Sequence, residues 1–193
     1  MGGLLGMQKR NLTSQKVVET YIELAGETSL NEVTFPRIAE RLGIKAPSLY
    51  NYFKNLTDLR VHTAIYLHTN LNNRLMADLI GQTGRQALRT YALDYRQFAN
   101  DYQSVYELLN TIPSFNNDEL ASIGRKNNQI IVKILNFYHL SEKDLIIKNR
   151  AFRSLLNGYI MLKQLGYFQK GNLSDDDSFS AVIDEFINSI KEK

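Results

Sequence analysis

The chain has no cysteine. Disulfides, thiol nucleophiles and thiolate metal sites are excluded together, and the composition suits a reducing compartment. Prolines are scarce, at positions 36, 47 and 113 only, and no segment sustains an apolar/polar alternation. Little interrupts helices and nothing asks for strands. No apolar run reaches the ~18–20 residues of a membrane span. The opening MGGLLGMQKR has too short an apolar stretch for a signal peptide, and its charges follow rather than precede it. Residues 1–6 are set aside, with Met7 an alternative start. Charge of one sign is also missing. Residues 1–60 hold eight Lys/Arg against six Asp/Glu, residues 61–193 fifteen against fourteen, and the net charge is +3. Any basic footprint must therefore be a local surface rather than a tail. The histidines are His62, His68 and His139. The first two fall on opposite sides of one helix, which argues against a metal pair. There is no P-loop, HExxH or nucleophile–base pattern, so neither catalysis nor a cofactor is expected.

What the chain does have is helical periodicity. Its 193 residues suffice for one large domain or two small ones, and 44% are hydrophobic, enough for a real core. A first helix is expected over about 14–26, capped by Thr13, with Val17, Val18, Tyr21, Ile22, Leu24 and Ala25 as a wide apolar stripe. A second starts at Thr34 with Pro36 in its first turn, turns Ile38, Ala39 and Leu42 inward, and ends at Gly43. Two residues later a third helix begins, again with proline in its first turn. Asn55 and Asp58 form a cap pair for the next. Helices follow over about 57–80, 85–101, a short piece to Leu109, 117–138, 142–166 (capped by Ser141 with Asp144) and 175–191 (capped by Ser174 with Asp177). The expectation is an all-α protein of about nine helices. A segment 1–12 precedes a three-helix domain at 13–56, and a helical bundle fills 57–193.

The second and third helices are spaced as a helix-turn-helix, though an ordinary helical hairpin has the same spacing. Around the third helix, turned as an α-helix, Leu49, Phe53 and Ala46 share one side. Pro47, Ser48 and Asn51 share the other, and Tyr50 and Tyr52 flank it. The outer face is small and polar, narrow enough for a major groove, and the flanking phenols can reach phosphate. Lys45 and Lys54 add charge at its rim. Half-buried packing tyrosines with wet hydroxyls are the competing account.

The stretch LTSQKVVETYIELAGETSLNEVTFPRIAERLGIKAPSLYNYFKNLTDL, residues 12–59, resembles the DNA-binding domain of the tetracycline-repressor family. The likeness is densest in IAERLGI (38–44), APSLYNYF (46–53), Lys54-Asn55 and Asp58-Leu59. Residues 151–169 and the following DDDSFSAVIDEFINSI resemble that family's Trp-His-Gly type of effector domain, with Leu156-Asn157-Gly158 in place of the signature triplet. The resemblance implies that Thr34 holds a phosphate. It implies backbone contacts from Lys45, Tyr50, Tyr52 and Lys54, and base reading by Pro47, Ser48 and Asn51, with Ala46 beside them. Pro36 stands where some members read a base with arginine, and Arg37 can substitute at another angle. Asn51 replaces a common aromatic and can pair bidentately with adenine. Leu56 replaces a common lysine, removing one phosphate contact. About 6–10 phosphate contacts would still make binding steeply salt-dependent.

The resemblance further implies a bacterial, cytoplasmic regulator with an effector domain that dimerises through its last two long helices, on double-stranded DNA whose operator is palindromic. The apolar stripe from Phe179 to Ile190 suits such an interface, and also the chain's own core. Residues 61–193 hold eight tyrosines and seven phenylalanines. Tyr66, Tyr91, Tyr95, Phe98, Tyr102, Tyr106 and Phe152 are candidate lining for a small-molecule effector pocket, or plain core. Arg150 and Arg153 adjoin Phe152 and can meet a ligand carboxylate. A DNA-binding activator or architectural factor without ligand control is the alternative to a ligand-responsive repressor.

Overall fold

The computed structural model describes residues 12–110, 112–169 and 172–190. The expected segment 1–12 lies, apart from Leu12, outside them, as does residue 191. Among the described residues the fold is all-α, with no strand. Two compact units divide at Thr63 and Ala64. The first thus reaches beyond the expected boundary at 56.

The N-terminal unit is built from α1 (Ser14–Glu27), α2 (Phe35–Leu42), a six-residue 3₁₀ helix (Ala46–Asn51) and the first turns of α3 (Leu56–Asp78). Thr13 caps α1 by accepting from the Lys16 amide. Val17, Tyr21, Ile38, Leu49, Phe53 and Leu59 form the core, each essentially without solvent contact. The reach to Thr63 has a physical cause. Arg60, on α3, donates to the Tyr21 hydroxyl (3.2 Å), to the Leu30 carbonyl and to Asn31, so the start of α3 is fastened to α1 and its loop. Between α2 and the 3₁₀ helix, Gly43 takes the left-handed conformation (φ 66°). Its amide and that of Ile44 close on the Glu40 and Ala39 carbonyls, the turn a glycine at this position favours.

The second unit is centred on α4 (Gly84–Asp101), which buries Leu88, Tyr91, Tyr95 and Phe98. Around it stand the rest of α3, a 3₁₀ segment (Gln103–Asn110), α5 (Ile112–Phe115), α6 (Asp118–Leu135), α7 (Glu142–Gln164) and α8 (Asp175–Asn188). Asn117, Ser141 and Ser174 cap α6, α7 and α8. Along α4 and α8 runs an antiparallel ladder, in which Arg85 meets Asn188, Arg89 meets Asp184 and Arg96 meets Asp176. Arg96 also lies 4.7 Å over the Phe179 ring. The apolar stripe from Phe179 to Ile190, expected to suit an interface and also the chain's own core, packs within the unit: Phe179, Ile183, Phe186, Ile187 and Ile190 are buried. At the start of α4, Gly84 has φ 55°, and the Phe137 ring lies against it so closely that a Cβ would come within 2.7 Å.

Replacing Gly43 with alanine forces a side chain into the left-handed region and should destabilise the N-terminal unit by about 1 kcal/mol. Asparagine there should cost less. Thermal unfolding of the two variants checks this ordering, and equal losses would show that the turn does not depend on that conformation.

Candidate nucleic-acid interface

The segment that follows Gly43 is tighter than expected. The Ser48 and Tyr52 amides bond three residues back, to Lys45 and Leu49, and only Phe53 adds a four-residue bond, to Leu49. Proline at 47 contributes no amide, and six residues leave little room for an α-helical ladder between the Gly43 turn and the start of α3. The expected α-helix is therefore a 3₁₀ helix. At three residues per turn the rows change. Ala46, Leu49 and Tyr52 align, Pro47 aligns with Tyr50, and Ser48 with Asn51.

This regrouping separates the two tyrosines. Tyr50 is 61% exposed and rests edge-on against Phe35, with ring centroids 5.1 Å apart. Tyr52 shares the row of buried Leu49, is itself half-buried, and donates its hydroxyl to the Leu12 carbonyl at 2.9 Å. Pro47 and Asn51 are exposed, while Ala46 and Ser48 are half-buried. Lys45 and Lys54 are exposed at the two ends. The Lys54 amide is held by the Asp58 carboxylate (2.8 Å), and the Asp58 amide by the Asn55 side chain (2.9 Å). That reciprocal cap fixes where Lys54 leaves the backbone.

Two further residues of the expected set lie on α2. Thr34 occupies the N-cap position with extended backbone, yet its hydroxyl makes no capping bond. It stands exposed beside the amides of a helix start, a setting that favours an anion. Arg37 turns the other way. Its guanidinium donates to the Glu32 carbonyl (3.2 Å) and faces the Glu32 carboxylate at 4.0 Å, so it serves the α1–α2 loop. Arg41 pairs with Glu27 across α1 and α2, and that pairing lowers the Glu27 pKa.

In the second unit the expected effector residues Tyr91, Tyr95, Tyr106 and Phe152 form a packed aromatic cluster, and Tyr66 is half-buried. Tyr91 stacks with Tyr95 and leans on Phe152, which stacks on Phe186. Phe98 lies against Tyr102. Of the seven, only Tyr91 and Tyr95 border the small cavity at the centre, about 60 Å³, together with His68, Asn127, Arg153 and Asn157. Amides satisfy the phenols. The Tyr91 hydroxyl donates to Asn127, and those of Tyr95 and Tyr106 both donate to Asn157. Asn127 donates on to Asn72, and Asn72 to the Ile123 carbonyl. Burial raises the pKa of Tyr91, Tyr95 and Tyr106. His68 bonds the Leu109 carbonyl through Nε2 (3.1 Å), while Nδ1 is buried without a partner among the described residues. A larger cleft, about 680 Å³, opens between α3 and α6. No spacing or residue type in the sequence singles out its lining residues Met76, Ile80, Ile130 and Phe137.

Comparison with known proteins supplies the family context. The profile described as "Bacterial regulatory proteins, tetR family" matches residues 18–62, and that described as "Tetracyclin repressor-like, C-terminal domain" matches 88–186. The uncharacterised HTH-type transcriptional regulator YobS of Bacillus subtilis is 24% identical over 172 residues, 88% of this chain and 88% of YobS. Among solved structures, a protein of unknown function from Rhodococcus sp. RHA1 superposes with a TM-score of 0.82 at 13% identity, covering 95% of this chain and 98% of that one. A TetR variant from Acinetobacter baumannii, crystallised with minocycline, gives 0.67 at 19% identity, covering 92% and 95%.

Burial lowers the His68 pKa from 6.5 to about 4. Its neutral form is thus favoured in the folded state, and the unfolded chain binds the extra proton between those values. Stability from this group is complete above about pH 6.5 and is lost as pH falls toward 4, by about 2–3 kcal/mol. Urea unfolding at pH 7.5 and 4.5 should show a smaller difference for His68→Gln than for the wild type. Equal differences would remove His68 as the source.

Proposed function

The chain belongs to the tetracycline-repressor family of bacterial DNA-binding transcriptional regulators, and from that premise we propose that it is a cytoplasmic, ligand-responsive repressor that binds a palindromic operator as a homodimer. The observation that carries this reading is the exposed surface from Pro47 to Lys54. Here Tyr50 and Asn51 project from a segment anchored by fully buried Leu49 and Phe53. Asn51 is the base reader in this reading, with Pro47 and Ser48 beside it. Thr34, Lys45, Tyr50 and Lys54 hold phosphates. Tyr52 and Arg37, whose polar groups serve the fold, position their neighbours instead.

A two-fold assembly is supported by α7. Ile147, Ala151, Ser154, Gly158, Met161 and Leu165 follow at alternating four- and three-residue steps. Ile147, Met161 and Leu165 are each at least half exposed. Small residues occupy the middle of the stripe, where two helices can approach closely. The dimer then spaces two reading segments about one helical turn of DNA apart. A ligand that binds more tightly to a differently spaced state releases the operator, by the ratio of its two affinities. Helix α3 is the coupling element in this scheme, since it supplies Leu59 to one core and Leu67 and Leu71 to the other.

Selection of bound sequences from random DNA should return a palindrome. Asn51→Ala should relax one base position in each half-site at a cost of about 1–3 kcal/mol, whereas Lys54→Ala should weaken all sequences alike and flatten the salt dependence. Equal, sequence-independent losses for both variants would sink the base-reading role of Asn51. Promoter transcription with and without the protein separates repression from activation.

A further inference from the structure

The cleft between α3 and α6 has a composition unlike the packed aromatic centre. Along α3, Thr69, Asn72, Asn73 and Met76 face it at helical spacing, Leu79 and Ile80 continue that wall just past the end of the helix, and Ile123, Ile130, Ile134 and Phe137 face it from α6 and its end. The opposed rows do not close on each other. Asn72 bridges them at one end through the Ile123 carbonyl and Asn127, and the cleft opens toward Ile80 and Phe137, which are 80% and 49% exposed. From Thr69 to Met76 the wall extends about 10 Å along the helix, and Leu79 and Ile80 prolong it beyond the helix end. The cleft's charges are of one sign. Lys126 and Lys133 line it, no Asp or Glu does, and neither lysine has an ion-pair partner among the described residues.

We propose that this cleft binds a single-chain anionic amphiphile, a medium-chain fatty acid carboxylate, with the acyl chain along Met76, Ile80, Ile130 and Phe137 and the headgroup at Lys126 and Lys133. The inference rests on reading this unit as an effector domain. Three physical facts point to this occupant. The volume, about 680 Å³, is in the range of small-molecule sites. The apolar lining residues Met76, Ile80, Ile130, Ile134 and Phe137 follow one another turn by turn along the two walls, which suits an extended chain. The two cations, on flexible stems, can follow a headgroup at the rim while their methylenes cover the chain. Asn72, at the inner end, is shared with the buried amide network that reaches Tyr91, so a guest there touches the hydrogen bonds that order the centre of the unit.

Isothermal titration of the full chain with dodecanoate and dodecanol, both below their aggregation limits, tests the proposal. Dodecanoate should bind at least about fivefold more tightly than dodecanol, and octanoate should be weaker by about three- to fourfold per missing methylene. The double change Lys126→Gln, Lys133→Gln should erase the preference while keeping dodecanol binding, and Ile80→Asp, at an exposed position, should weaken both. No dodecanoate binding, no preference over dodecanol, or equal binding by Ile80→Asp would overturn the proposal. So would an Ile80→Asp chain that turns from dimer to monomer in sedimentation, since the cleft would then be covered by a second copy. Operator affinity, measured in parallel by fluorescence anisotropy, separates the two readings. Dodecanoate that binds without altering DNA affinity upholds the cleft's ligand class and defeats ligand-responsive control. An operator response to another compound, unchanged by the cleft variants and with no dodecanoate binding, does the reverse.

Discussion

The candidate interface depends on the burial of two side chains, Leu49 and Phe53, within a stretch bounded by the Gly43 turn and the Asn55 cap. Both rings of constraint are local and rigid. A left-handed glycine sets where the segment begins, and the Asn55 and Asp58 side chains, which cap the Asp58 and Lys54 amides, set where it ends. Between them the chain must deliver Leu49 and Phe53 to the core while leaving Pro47, Tyr50 and Asn51 outside. A six-residue 3₁₀ helix meets that demand, because three residues per turn bring Ala46, Leu49 and Tyr52 into one row. The exposed surface is a by-product of what the core takes in.

Much of this was legible in the sequence where the determinants are local. Thr13, Gly43, Asn55 with Asp58, Ser141 and Ser174 mark helix ends through bonds made within three or four residues, so the residue types at those spacings were enough. Family resemblance added the functional assignment of residues 12–59. The departures come from contacts that helical periodicity does not contain. Tyr52 bonds Leu12, forty positions away, and no helical wheel contains that partner. Arg37 is drawn to Glu32 across a loop whose path periodicity does not specify. The wheel itself used the wrong turn angle, since α and 3₁₀ geometry differ by tertiary demand rather than by composition.

The second unit shows the same division. Its aromatic stripes were visible, but a stripe does not say whether rings enclose a void or each other. They pack on each other and leave only the small central cavity, with amides from Asn127 and Asn157 meeting the phenols. Polar satisfaction of that kind makes the centre specific, since each buried hydroxyl without its amide would carry a desolvation penalty. The open space lies instead where two unremarkable helix faces fail to meet. Nothing in either face alone distinguishes a cleft from a packed contact.

The contact between Gly84 and Phe137 bears on how that cleft behaves. The ring is half exposed, yet it is braced by the glycine backbone on one side and by the edge of Tyr138 on the other, at 5.5 Å. A side chain so confined has little rotamer freedom left to lose. The cleft's outer wall is thereby preorganised, and a guest laid against it forfeits less conformational entropy than it would on a mobile surface. For the proposed ligand, a glycine distant from Phe137 in the sequence would thus act on affinity without touching it.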